Sequence, residues 1–237
     1  MFNLAKVSPS IIAVDYLNQS TLQSSIKLVE KSGCKMLHLD VMDGKFVPNT
    51  TFDYNFVARL SKLTDLLIDV HLMVEEPQRC VQNYIDAGAN IISVHIEACS
   101  DIRSTLKYIK DHNCLAGVAV SPKTDIREIK SLLDEKLVDI VLVMSVEPGR
   151  CGQEYIFGSA EKVAWLKAYG GSIEIEVDGG INVENAKVLR MCGADILVSG
   201  SAIFNSDNPS KMIRLLQGNI IKNRILSKFS TKNKKTH

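Results

Sequence analysis

Histidine and aspartate alternate with apolar residues in two short stretches of the sequence, Leu37–Met42 and Asp69–Met73. Successive side chains of a β-strand point to opposite faces. The residues that share a face are therefore His38, Asp40 and Met42 in the first stretch and Asp69, His71 and Met73 in the second. A further carboxylate, Asp178, follows a stretch in which glutamate alternates with Ile and Val, and it precedes two glycines. Imidazole and carboxylate groups together bind divalent transition metals such as Zn, Mn, Fe or Co. The candidate ligands of one such ion are His38, Asp40, His71 and Asp178.

A buried, hydrogen-bonded histidine is the alternative interpretation of each imidazole taken singly. Two carboxylates buried together without a counter-charge would cost several kcal/mol, however. A bound cation is the compensation that this set of side chains favours over an apolar core.

Asp40 and Asp178 also suggest acid–base chemistry, because they belong to segments far apart in the sequence. Two carboxylates on opposite sides of a planar intermediate can remove a proton from a carbon beside a carbonyl and return one to the other face. A metal ion stabilises the enediolate oxygens of such an intermediate. Each acid–base step contributes roughly 10²–10⁴-fold to the rate. Two bases predict an epimerase, whereas one base would predict an isomerase without inversion.

Glycine-rich segments point to a phosphate group on the substrate. They are Glu147–Gln153, Gly179-Gly180 and Gly200-Ser201-Ala202, each after an apolar run. Glycines allow backbone N–H groups to approach an anion closely. Together with the metal site they predict a phosphorylated sugar or a similar small metabolite as substrate.

Eight segments rich in Val and Ile are the elements that must position these side chains. They are Val7–Ala13, Met36–Met42, Leu67–Met73, Ile91–Glu97, Leu115–Ser121, Ile140–Ser145, Ile173–Val177 and Ile196–Gly200. Most of the stretches between them have helical periodicity. Eight strands alternating with helices predict an α/β protein, a (β/α)8 TIM barrel, with its site at the carboxyl ends of the strands. An open, doubly wound sheet is disfavoured because no glycine-rich dinucleotide loop follows the first strand.

Charge and composition limit the domain organisation and the partners. The 237 residues carry a net charge of +1, and 46% are hydrophobic, as in an ordinary globular protein. After Asp207 there is no acidic residue, and eight basic residues follow: Lys211, Arg214, Lys222, Arg224, Lys228, Lys232, Lys234 and Lys235. We expect one barrel domain over residues 1–218 and a basic helix end and tail over 219–237, with no nucleic-acid or membrane partner. Six cysteines without C-x-x-C spacing and no secretory signal predict a cytoplasmic protein with reduced thiols.

The chain resembles the ribulose-phosphate 3-epimerase family in a series of motifs that occur in order from residue 8 to about residue 204. They are Ser8–Ile11, His38–Asn49, Asp69–Met73, His95–Ala98, Val143–Gly149, Glu176–Gly180 and Ser199–Ile203. The resemblance implies a barrel of the ribulose-phosphate-binding type. It also implies interconversion of D-ribulose 5-phosphate and D-xylulose 5-phosphate in the pentose phosphate pathway, and a homo-oligomer as the default assembly.

The resemblance further implies a role for each matching residue. One divalent metal ion per subunit (Zn, Fe, Mn or Co) would bind His38, Asp40, His71 and Asp178, and Asp40 and Asp178 would be the two acid/bases. Ser10 and His71 would contact the substrate. The phosphate would bind at Gly149, Gly152, Gly179, Gly180, Gly200 and Ser201, and the methionines lining the site would be Met42, Met73 and Met144.

The loop after the sixth strand departs from the family pattern. Arg150 and Cys151 replace a phenylalanine and a glycine of that pattern. Losing a glycine can forbid a positive φ angle, whereas Arg150 can add a direct contact to phosphate. A third interpretation is that the loop keeps its path despite both changes.

Three rival functions share part of this pattern. An epimerase of allulose 6-phosphate would have the same metal ligands and aspartates, although Gly200–Phe204 favours the pentose enzyme. A catalytically inactive sugar-phosphate-binding barrel stays open because of the altered loop. A decarboxylase of the same barrel superfamily would need a lysine at position 42, where this sequence has Met42.

Overall fold

The computed structural model describes residues 4–149 and 153–219, in which strands and helices alternate along the chain. The strands are β1 Lys6–Pro9, β2 Met36–Met42, β3 Leu67–Met73, β4 Ile91–His95, β5 Leu115–Val120, β6 Ile140–Met144, β7 Glu174–Asp178 and β8 Ile196–Ser199. The helices are α1 Gln19–Lys31, α2 Tyr54–Leu60, α3 Val81–Asp86, α4 Ile102–Asp111, α5 Lys130–Asp134, α6 Gly158–Tyr169, α7 Val183–Cys192, α8 Ser201–Phe204 and α9 Pro209–Gln217. Short 3-10 helices occur at Ile11–Ala13, Pro77–Arg79 and Ile126–Ile129.

The eight strands form a single parallel sheet in the order β1-β8-β7-β6-β5-β4-β3-β2. A parallel bridge joins Ser10, directly after β1, to His38 of β2, and so connects the two outer strands. The sheet is therefore a nearly closed barrel, which confirms the predicted (β/α)8 fold. Its register places Asp40 beside His71 and Met144 beside Asp178.

The predicted first strand, Val7–Ala13, is too long. Pairing with β8 continues as far as Ser10, whose N–H donates to the carbonyl of Ser199. Beyond it, the N–H groups of Ala13 and Val14 bond to the carbonyls of Ser10 and Ile11 within the same turn. A short apolar run is compatible with either a strand or a helical turn. In this chain, Ile11–Ala13 form a turn and not an extension of the strand.

Apolar residues fill the layer between strands and helices, whereas polar residues occupy part of the barrel interior. On α4, for example, Leu106 and Ile109 are fully buried against the sheet. The buried polar side chains contributed by the strands include Ser8, His38, Asp69, His71, Ser93, His95 and Glu176. Burying a polar group without a hydrogen-bond partner is unfavourable. The polar barrel interior therefore does not stabilise the fold as an apolar core would, and it is the place to look for a functional site.

The predicted basic C-terminal segment is only partly within the described residues. Helix α9 ends at Gln217, and Gly218 follows with a φ of +86°. Residues 220–237 lie outside the described residues, so the domain boundary at 218/219 stays a prediction.

Lys162 of α6 anchors the segment that follows β5. Its Nζ donates to the carbonyl oxygens of Ser121, Pro122 and Thr124 at 2.7, 2.8 and 2.7 Å. Burial lowers the pKa of this ammonium group. A half-buried carbonyl that loses its hydrogen-bond donor destabilises the folded state.

We expect Lys162→Met to lower the free energy of unfolding by about 1–3 kcal/mol, because three carbonyls lose their donor. Urea unfolding followed by circular dichroism measures this loss. Lys107→Met is the matched control, since Lys107 forms an exposed pair with Asp111 and should leave stability nearly unchanged. Equal stability of the two variants would contradict an anchoring role for Lys162.

Candidate active site

The carboxyl ends of the strands open into one cavity that gathers most residues predicted from sequence. Its lining includes Ser10, Asp40, Met42, Met73, Met144, Gly149, Asp178, Gly179, Gly180, Gly200 and Ser201. His38 and His71 are fully buried behind Asp40. Arg150, Cys151 and Gly152 lie outside the described residues, so their predicted contacts to phosphate and the effect of the altered loop stay predictions.

The four candidate metal ligands converge. One donor atom from each of His38, Asp40, His71 and Asp178 lies within 4.8 Å of the other three. Oδ1 of Asp40 is 3.4 Å from Nε2 of His38 and 3.3 Å from Nδ1 of His71. Nδ1 of His71 is 3.9 Å from Oδ2 of Asp178. Two imidazole nitrogens and two carboxylates can thus face a single point.

The hydrogen bonds of His38 show that this set fits a divalent metal ion. Nδ1 of His38 lies 2.7 Å from Oδ2 of Asp69. A carboxylate accepts, so Nδ1 is the donor. Nε2, on the Asp40 side, is fully buried and has no hydrogen-bond partner among the described residues. A buried polar atom without a partner is unfavourable, and a cation between Nε2 and the carboxylates would satisfy it.

The two aspartates have opposite ionisation tendencies. Burial and the nearby charge of Asp40 raise the pKa of Asp178 to about 7. Burial also acts to raise the pKa of Asp40, yet the nearby charge of His38 outweighs it and holds that pKa well below the usual range. Paired carboxyl groups with separated pKa values are characteristic of acid–base sites.

Hydroxyl groups hold the two aspartates in place. Oγ of Ser10 donates to Oδ2 of Asp40 at 2.8 Å. Oγ of Ser145 lies 2.8 Å from the carbonyl oxygen of Asp178 and 2.6 Å from that of Gly179. Thr51 likewise donates to the carbonyl of Asp40. Ser145 and Thr51 were not predicted as site residues, because their role depends on contacts between distant segments.

A second group of buried ligand-type side chains, His38, Asp69 and Glu176, shares His38 with the first. Within the described part of the chain, neither carboxyl oxygen of Glu176 has a hydrogen-bond partner. Burial and the charge of Asp69 raise the pKa of Glu176 well above its ordinary value. Sequence reasoning missed Glu176, although it shares a strand face with Asp178 by alternation, which is the signal that could have found it.

Gly149 closes the cavity against the segment after β2. A Cβ atom at Gly149 would lie 2.5 Å from Cβ of Val47, and the φ of Gly149 is +92°. Nδ2 of Asn49 donates to the carbonyl of Gly149 at 2.6 Å. Only glycine allows this close approach, so the loops after β2 and β6 are held together at the mouth of the site.

We expect Gly179→Ala to reduce turnover at least about tenfold, because a Cβ there displaces the Asp178–Gly179 turn. That Cβ would lie 2.5 Å from Cγ2 and 2.9 Å from the backbone nitrogen of Val146, at a φ of +117°. The strain of a positive φ alone costs about 1–3 kcal/mol. Gly171→Ala is the matched control, because Gly171 has a φ of +94° and its added Cβ would meet no atom of the described residues within 4 Å.

Steady-state turnover and thermal unfolding of both variants measure these effects. Gly171→Ala should lose stability and keep its activity, whereas Gly179→Ala should lose both. Full activity in Gly179→Ala would show that the turn tolerates the added methyl group.

The fold and this cavity define a class of protein, a TIM-barrel enzyme with a histidine–carboxylate site at the carboxyl ends of its strands. Residues 6–204 match the model of the "Ribulose-phosphate 3 epimerase family". The chain is 40% identical over 220 residues to ribulose-phosphate 3-epimerase of Bacillus subtilis, covering 91% of this chain and 99% of the relative. It is 42% identical over 214 residues to the chloroplastic ribulose-5-phosphate-3-epimerase of Arabidopsis thaliana, covering 88% and 74%. The chain belongs to the ribulose-phosphate 3-epimerase family and is therefore an isomerase, an epimerase.

Solved structures support the fold independently. The 3-hexulose-6-phosphate synthase of Salmonella typhimurium superposes with a TM-score of 0.64 at 18% identity, over 90% of this chain and 97% of that one. At this identity the likeness concerns the barrel alone. Within the part of the chain that the structure describes, no helix combines the length and apolar character needed to cross a bilayer.

Proposed function

We propose that this chain interconverts D-ribulose 5-phosphate and D-xylulose 5-phosphate by proton transfer at carbon 3, a step of the pentose phosphate pathway. The observation that carries the proposal is the pairing of Asp40 and Asp178. They come from β2 and β7, face one cavity and differ in ionisation. Family membership supports the same reaction.

In one direction Asp40 is the base and Asp178 the acid. The Asp40 carboxylate takes the proton from carbon 3, and the electrons of the broken C–H bond form a double bond between carbons 2 and 3. The carbonyl oxygen at carbon 2 then carries the negative charge of an enediolate. Asp178 returns a proton to the opposite face of carbon 3, and the carbonyl at carbon 2 forms again as the double bond between carbons 2 and 3 is lost. The reverse reaction exchanges the two roles.

His38, Asp40, His71 and Asp178 would hold one divalent metal ion per subunit (Zn, Fe, Mn or Co). When bound, such an ion supplies Lewis-acid stabilisation of the negative charge on the substrate oxygens. Ser10 would orient Asp40 through its 2.8 Å hydrogen bond and contact the substrate. His71 would also contact the substrate.

The phosphate would bind where glycines meet at the rim. Gly179 and Gly180 follow β7, and Gly200 and Ser201 follow β8 and begin α8. Gly179 and Gly180 have φ values of +117° and +62°, so their N–H groups can take orientations closed to other residues. Gly149 would complete this site together with Arg150, Cys151 and Gly152, while Met42, Met73 and Met144 would form the apolar wall.

Assembly and location are part of the same proposal. We expect a homo-oligomer working in the cytoplasm on a small sugar phosphate, without a nucleic-acid or membrane partner.

Proton NMR of D-ribulose 5-phosphate in deuterated water tests the reaction. We expect xylulose 5-phosphate labelled with deuterium at carbon 3, no product after chelation, and recovery when metal is restored. Allulose 6-phosphate is the comparison substrate. Turnover of the hexose alone would replace the proposed substrate, and no turnover of either would indicate an inactive sugar-phosphate-binding barrel.

A further inference from the structure

A chain of three side chains runs from the barrel surface to the candidate metal site. Oε2 of Glu97 lies 3.0 Å from Nδ1 of His95. Nε2 of His95 lies 2.8 Å from Nε2 of His71. We propose that Glu97 and His95 are positioning residues that hold His71 in the tautomer whose Nδ1 is free to bind the metal ion.

The direction of the hydrogen bonds follows from the carboxylate. Glu97 as a carboxylate can only accept, so Nδ1 of His95 carries the hydrogen. Complete burial of His95 disfavours a second proton on its ring. Nε2 of His95 is then an acceptor, and the hydrogen between the two rings belongs to Nε2 of His71. Nδ1 of His71 lies 3.3 Å from Oδ1 of Asp40, a longer contact than the 2.8 Å between the two rings. The hydrogen of His71 therefore stays on Nε2, and its lone pair is on Nδ1, the atom that faces Asp40 and Asp178.

Glu97 is itself fixed by the segment after β5. Its Oε1 accepts from the N–H of Ser121 at 2.8 Å and from the hydroxyl of Thr124. Lys162 holds the carbonyls of the same two residues. These contacts hold the Glu97 carboxylate in place beside His95, although the Glu97 side chain is about a quarter exposed.

The other histidine of the site is oriented through the opposite nitrogen. Asp69 binds Nδ1 of His38 and leaves Nε2 for the site, whereas His95 binds Nε2 of His71 and leaves Nδ1. Removing a group that hydrogen-bonds to a metal-binding histidine typically weakens metal binding 10–100-fold. The inference rests on the proposed metal site, but the tautomer of His71 is a property of the metal-free protein.

Two measurements test the inference on wild type, His95→Leu, His95→Gln, Glu97→Ala and the control His112→Gln. His112 lies on the surface at the end of α4. Two-bond ¹H–¹⁵N correlation spectra of the metal-free proteins report which nitrogen of His71 is protonated. Titration with Co²⁺, followed by visible absorption, reports the metal affinity.

We expect the Nε2–H tautomer of His71 in wild type and in the His112→Gln control. His95→Leu should give mixed tautomers and about 10–100-fold weaker Co²⁺ binding. His95→Gln should restore most of the Nε2–H tautomer and most of the Co²⁺ affinity, because the glutamine amide can donate to Glu97 and accept from His71. Glu97→Ala should show an intermediate loss, since His95 is then free to turn its hydrogen toward His71.

An unchanged His71 tautomer in both His95→Leu and Glu97→Ala would overturn the inference, as would wild-type Co²⁺ affinity in both. Failure of the proposed function is a different result, namely that wild type binds no Co²⁺ or does not epimerise the sugar phosphate. Glu97→Ala keeps the test decisive if His95→Leu does not fold, because Glu97 is part-exposed and its removal leaves no cavity in the core.

Discussion

Asp178→Asn and Asp40→Asn are each expected to lower epimerase turnover by at least about 10²–10⁴-fold, the usual contribution of one acid–base group. Asparagine keeps the shape of the side chain but cannot accept and return a proton. Each variant should still exchange the carbon-3 proton of one epimer with solvent, because one of the two carboxylates remains. Asp178→Asn and Asp40→Asn should exchange opposite epimers.

Deuterium incorporation into D-ribulose 5-phosphate and D-xylulose 5-phosphate, assayed separately by NMR at saturating Mn²⁺, measures this division. Asp195→Asn is the control, since Asp195 directly precedes β8, far from the strand ends that form the site. Its Oδ2 accepts a hydrogen bond from the N–H of Ile175, and its Oδ1 lies 3.7 Å from Nζ of Lys167. Metal content is measured for every variant, so that loss of the ion is separated from loss of the acid–base group. Retained interconversion in either site variant, with metal bound, would end the two-base mechanism.

Chelation is expected to abolish turnover, and the affinity for re-added metal should fall as the pH is lowered below about 7. Asp178 has a pKa raised to about 7 by burial and by Asp40. The proton must leave before this carboxylate can bind a cation. Burial lowers the pKa of His38, yet Asp69 and Asp40 outweigh it and raise that pKa well above the usual value. Both groups therefore hold protons that compete with the metal at low pH.

Competition titrations of the stripped protein with Mn²⁺ at pH 6, 7 and 8 measure this effect. One released proton corresponds to about tenfold in affinity per pH unit, so the slope should be largest below pH 7. Asp178→Asn should bind more weakly at pH 8 and show a shallower slope. A pH-independent affinity in wild type would exclude Asp178 from the metal site.

Much of the fold was predictable because parallel barrel strands are short, apolar and regularly separated by helices. The predicted β2 and β3 match the structure at both ends. In Met36–Met42 and Leu67–Met73, polar and apolar residues alternate, and this alternation is compatible with a strand but not with a helix. The predicted carboxyl end of the first strand was wrong. Whether Ile11–Ala13 extends the sheet or turns is decided by which carbonyls its N–H groups reach, and composition carries no information on that choice.

The candidate site was predictable in its residue types but not in its hydrogen bonds. Alternation placed His38 and Asp40 on one face, and the position of Asp178 directly after the Ile173–Val177 segment placed it at the rim. The partner of His38 is Asp69, on the next strand, and the partner of His71 is His95, on the strand after that. These pairings depend on the register between strands, which no local pattern contains.

The sequence by itself determined the repeating strand–helix pattern, the polar residues at the strand ends and the family to which the chain belongs. The tertiary structure alone decided which groups face each histidine and in which direction the pKa of each aspartate is shifted. The physical reason is distance. Desolvation and charge interactions change steeply over a few ångströms, and only the closed barrel brings β2, β3, β4 and β7 near enough for Asp40, His71, His95 and Asp178 to affect one another.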